Sequence, residues 1–116
     1  MKQKIKIYHN PRCSKSREGL QWVENSGEEF EVVEYLKKPL NQKELKEILQ
    51  KLGIQPLDLV RKKENVWLEN FKDKNLSDEE IIEAILQFPV LLERPIVLKG
   101  NKAVIGRPPV LIKDIL

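Results

Sequence analysis

Strand-type patterning in this chain is confined to its two ends, and everything between them reads as helix. One sheet built from such ends must pair strands far apart in sequence, with the helical stretch leaving the sheet and returning to it. In "KQKIKIYH" (2–9) the residues alternate in period two with Ile5 and Ile7 on one face, a strand that Pro11 closes. From Ser14 to Asn25, Leu20, Trp22 and Val23 stand on a polar background and predict a helix that Ser26-Gly27 ends. "EFEVVEYL" (29–36) predicts a second strand. Strand, helix and strand in succession form a βαβ unit.

The middle of the chain announces its helices by their caps. In "PLNQKELKEILQKLG" Asn41 and Glu44 form a capping box, Leu40 and Leu45 occupy the staple positions, and Gly53 stands where a helix stops. "LSDEEIIEAILQFP" repeats the device with Ser77 and Glu80, Leu76 and Ile81, and a stop at Pro89. Between them "QPLDLVRKKENVWLENF" predicts one or two short helical turns opening at Pro56. Strands return in "RPIVLKGNKAVIG", a hairpin around Gly100-Asn101, and "RPPVLIKDIL" closes the chain as a short helix. The order predicts one α/β domain over residues 1–116, with a helical insert at about 40–90.

Charge excludes little but guides the reading. Lys and Arg number 21 against 18 Asp and Glu, and both signs are mixed along the chain, so no basic face for nucleic acid is expected. Residues 1–6 alternate charged and apolar side chains without a signal-peptide core, and no apolar run reaches the length of a membrane span. A single cysteine cannot close an internal disulfide, and a cytoplasmic protein is expected.

That cysteine, Cys13, lies in "IYHNPRCSKSREGL" (7–20), between the first strand and the first helix. The free N–H groups of a helix's first turn favour an anion, so a thiol there is biased towards thiolate and an oxyanion can bind beside it. Arg12, Lys15 and Arg17 add positive charge nearby in sequence. Ser16 makes the motif C-x-x-S, and a serine cannot resolve a mixed disulfide, so any adduct on Cys13 needs a thiol from outside. His9 is placed either to orient and tune the thiol or simply to end the strand. One Cys and one His fall short of the ligand count of a closed zinc centre, and no metal is expected.

"YHNPRCSKSR" resembles the active-site signature of the glutaredoxin-coupled arsenate reductases, the ArsC-like branch of the thioredoxin-fold superfamily. The resemblance covers essentially the whole chain. It includes "LVRK" around Arg61, "ERPIV" around Arg94, "GRPP" around Arg107 and the terminal "DIL". It implies a thioredoxin-like mixed sheet with an inserted helical lobe. It also implies a reaction: Cys13 attacks arsenate, glutathione attacks the adduct, and glutaredoxin reduces the mixed species so that arsenite leaves. Arg61, Arg94 and Arg107 correspond to the arginines that contact the oxyanion or stabilise the thiolate. His9, Asn10 and Ser16 support the loop, and Pro95 corresponds to a cis-proline packed against the cysteine. Arsenate, glutathione and glutaredoxin are the implied partners, with glutathione a co-substrate, no bound cofactor, and a monomer as the working form. Arg12, Ser14 and Lys15 depart from the small residues of the family signature and make this loop more basic. Two other roles share the fold. One is a glutathione-dependent thiol-transferase; the other is a Spx-like regulator that binds RNA polymerase, whose redox-sensing members typically carry C-x-x-C where this chain has Ser16.

Overall fold

The computed structural model describes residues 4–116. Met1 to Gln3, the start of the first alternating run, lie outside the described residues. The elements follow as β1 (Ile5–Tyr8), α1 (Ser14–Asn25), β2 (Phe30–Val33), α2 (Gln42–Leu52), α3 (Asn65–Asn70), α4 (Asp78–Gln87), β3 (Ile96–Lys99) and β4 (Lys102–Ile105). Short 3-10 turns occupy Pro56–Leu59, Pro89–Leu91 and Pro109–Ile115. No helix of the described residues is long and apolar enough to cross a membrane.

The chain divides into two compact units, one of residues 1–38 and 94–116, the other of residues 39–93. The first unit holds the sheet, in strand order β2-β1-β3-β4. β1 runs parallel to β2 and antiparallel to β3, and β3 runs antiparallel to β4, which is the mixed thioredoxin-like sheet. As the central strand's inward residues, Ile5 and Ile7 are fully buried, and the register sets Ile7 between Val32 and Val97. Val23 of α1, Val97 of β3 and Ile112 of the last turn complete that core, with Leu20, Phe30 and Val104 packed around it. Burying each such aliphatic side chain stabilises the fold by about 1.5–3 kcal/mol.

Two elements differ from expectation. β2 stops at Val33 rather than continuing to Leu36. Its pairing runs out where β1 ends, at Tyr8 opposite Val33, and the chain turns away through a bond from the Lys37 N–H to the Glu34 carbonyl. The closing helix is of the tighter 3-10 type over Pro109–Ile115. This turn packs on α1 and β4.

The second unit is helical and is built on the two predicted caps. The Asn41 carboxamide accepts from the Glu44 N–H at 2.8 Å while the Glu44 carboxylate accepts from the Asn41 N–H at 3.3 Å. Ser77 and Glu80 repeat the exchange at 3.2 and 3.0 Å. Gly53 ends α2 in the left-handed region, with φ 67°, its N–H bonded to the Leu49 carbonyl. An isolated bridge pairs Val60 with Leu92 and brings the two ends of the α3–α4 stretch together.

Candidate active site at the head of the first helix

β1 delivers the chain into a five-residue loop, His9 to Cys13, and the loop is tied down along its length. The Asn10 side-chain carbonyl accepts from the Arg12 N–H at 3.0 Å, and the Asn10 backbone carbonyl accepts from the Cys13 N–H at 3.0 Å. These bonds turn the chain so that Cys13 becomes the N-cap of α1, with extended backbone angles. Arg17, on the first turn of α1, donates its guanidinium to the Pro11 carbonyl at 2.9 Å. In the sequence it stood out only as a positive charge near Cys13.

Ser16 does more here than occupy the place of a second cysteine. It is fully buried at the third position of α1. Its hydroxyl accepts from the Asn10 N–H at 2.9 Å and lies 2.7 Å from His9 Nδ1. One hydroxyl thus joins the end of β1 to the first turn of α1. Burial pulls the His9 pKa below its ordinary value, and this outweighs the opposite pull of Glu34 and of Ser16. The neutral imidazole is thus the favoured form near neutral pH.

Cys13 is a free thiol, partly exposed. Its side chain makes no conventional capping bond, and the Ser16 and Lys15 amides interact with the sulfur. Partial burial pushes its pKa up, but the Ser16 amide, the Arg94 guanidinium and the Lys15 amide outweigh it, and the net shift is downward. The protein thus makes a thiolate more available near neutral pH than a free cysteine would be.

Arg94 is the predicted arginine that the structure brings to the sulfur. It is only 7% exposed and precedes β3 directly across a cis Arg94–Pro95 peptide. Arg107 follows β4, is exposed, and donates Nη1 to the Arg94 carbonyl at 3.4 Å. A second cis peptide, Arg107–Pro108, follows it, which the sequence reading did not anticipate. Arg61 belongs to the helical unit. There its N–H bonds the Leu91 carbonyl at 2.7 Å and its guanidinium pairs with Glu64 at 3.4 Å.

Comparison with known proteins agrees with this geometry. The model of the ArsC family matches residues 8–115. The chain is 46% identical over 118 residues to the uncharacterized protein YfgD of Escherichia coli K12, covering 100% of this chain and 99% of that one. It is 46% identical over 106 residues to an arsenate reductase of Neisseria meningitidis serogroup A, covering 90% and 91%. Among solved structures, an arsenate reductase from Vibrio cholerae superposes with a TM-score of 0.94 at 41% identity, with both chains covered in full. On its loop, its sheet and these matches, the chain belongs to the ArsC family.

Proposed function

We propose that this protein is an arsenate reductase in which Cys13 is the nucleophile and outside thiols finish the reduction. The observation that carries the reading is the Cys13 sulfur at the head of α1, its thiolate favoured by the Ser16 and Lys15 amides and by Arg94, in a chain of the ArsC family. Arsenate is an anion at neutral pH, so its approach to a thiolate is repulsive. Two unit charges ~4 Å apart interact by about 1 kcal/mol in water and about 4 kcal/mol at an effective dielectric of 20. Guanidinium groups offset this, and their planar fork gives two parallel hydrogen bonds to a tetrahedral oxyanion. Arg94 and Arg107, in the same unit as Cys13, take that role in this reading. The role that the resemblance gives Arg61 is proposed with them.

In the reaction, the thiolate forms a sulfur–arsenic bond as an arsenate hydroxyl takes up one proton from solvent and leaves as water. Glutathione and then glutaredoxin supply the remaining thiol chemistry. Overall, two thiols become a disulfide, and arsenic takes up the two electrons in passing from As(V) to As(III). Ser16 cannot serve as the second thiol, so the resolving thiol comes from outside the chain, and the family resemblance makes glutathione the proposed one.

The test is NADPH oxidation in a mixture of arsenate, glutathione, glutaredoxin and glutathione reductase. The reading predicts arsenate-dependent turnover that needs both glutathione and glutaredoxin and disappears in Cys13→Ser. Arg61→Ala, assayed separately, is expected to raise the KM for arsenate. Turnover of a glutathione mixed disulfide without any turnover of arsenate would replace the reading with thiol transfer.

A further inference from the structure

We propose that Gly19 and Gly106 are positioning residues of the Cys13 site, clasping Pro95 from two sides so that Arg94 is held at the thiol. The inference rests on the reading of Cys13 as a nucleophile, and it concerns two residues that do not touch the reacting atoms.

Neither glycine is needed for its backbone conformation. The positive-φ glycines of the described residues are Gly27, Gly53 and Gly100. Space is the constraint instead. A Cβ on Gly19 would stand 2.6 Å from Pro95 Cγ and 2.9 Å from Ile112 Cδ1. A Cβ on Gly106 would stand 2.7 Å from Ile112 Cδ1 and 2.9 Å from Pro95 Cγ. An isoleucine methyl can rotate aside, but a proline ring is fixed to its own backbone, so relief must move the Arg94–Pro95 segment.

That segment is also held by hydrogen bonds. The Gly106 N–H donates to the Pro95 carbonyl at 2.8 Å, and Arg107 donates to the Arg94 carbonyl at 3.4 Å. Gly19 lies on α1, the helix that carries Cys13 at its head. The closeness of Pro95 to α1 therefore sets how near the Arg94 guanidinium stands to the sulfur. A methyl at Gly19 drives the proline off the helix and takes Arg94 with it, and the attraction between guanidinium and thiolate falls with distance. Gly19 has the closer contact with the ring, so its substitution has the larger effect.

The experiment measures the rate of Cys13 alkylation by iodoacetamide against pH, on the full chain. Gly19→Ala and Gly106→Ala are expected to raise the midpoint of the profile by roughly 0.5–1 unit. Gly27→Ala is the control. It adds a methyl at φ +73° where nothing lies within 4 Å, so it strains the backbone of the same unit without touching Pro95. Its melting temperature should fall while its midpoint stays at the wild-type value. Folded alanine variants with an unchanged midpoint would overturn the proposal. Should neither alanine variant fold, Ile112→Val is combined with Gly19→Ala, which removes the Cδ1 clash and leaves the one with Pro95. The double variant should show the rise, and an unchanged midpoint would overturn the proposal. The readout needs no arsenate. A wild-type thiol that titrates like free cysteine would instead count against the proposed function.

Discussion

Ser16 is the residue whose role changes most between sequence and structure. Read along the chain, it marks a missing second cysteine. In the fold it is the buried hydroxyl that joins His9, Asn10 and α1. The part it plays against Cys13 needs only its backbone amide, which any residue would supply. Ser16→Ala should therefore cost stability more than reactivity. Stranding the Asn10 N–H and His9 Nδ1 is expected to destabilise the protein by about 1–3 kcal/mol. That should lower the melting temperature by several degrees, with Cys13 still reactive. His9 gives this network a pH dependence. Its folded pKa lies below the unfolded value of 6.5, because burial disfavours the imidazolium. The unfolded chain thus binds the proton more readily, and stability is fully present above the unfolded pKa and lost as pH falls through the folded one. Thermal melts should show that acid-side loss in the wild type and a flatter profile in His9→Gln. Arg94 was legible at this scale, since a charge between "FPVLLE" and "PIVL" has little chance of being solvated. The glycines around Pro95 were not, because nothing local distinguishes a glycine that yields space from one that merely turns the chain.

Elements were most legible where their determinants are local. Both capping boxes form as their spacing requires, because each involves residues three apart and needs nothing from the rest of the chain. The hairpin around Gly100 is similar, its glycine having φ 60°. The ends of β2 and the winding of the last turn were less legible. A strand ends where its partner does, and β2 stops against the end of β1. The last turn packs on α1 and β4, which no window over residues 109–115 contains. The caps allow a clean test. Asn41→Ala removes the acceptor of the Glu44 N–H and should cost about 1 kcal/mol. Measured by urea unfolding, the loss should appear as a lower midpoint with an unchanged slope. It should leave Cys13 alkylation unaltered.

At the scale of the whole molecule, the confinement of strands to the chain's ends proved to be the feature that matters. It makes β1 and β3 neighbours although the helical unit separates them in sequence. That pairing is what carries Arg94, at the entrance to β3, to a cysteine at the exit of β1. The sequence held both residues but not their meeting, which exists only once the sheet has closed. Family resemblance gave Arg94 a role at the thiolate or the oxyanion but left open whether it reaches Cys13. The direct test is a titration of Cys13 followed by thiolate absorbance, on wild type and on Arg94→Gln. The account predicts a wild-type pKa below the ordinary thiol value of about 8.5 and a higher one in Arg94→Gln. A wild-type pKa at or above the ordinary value, unmoved by the substitution, would contradict it.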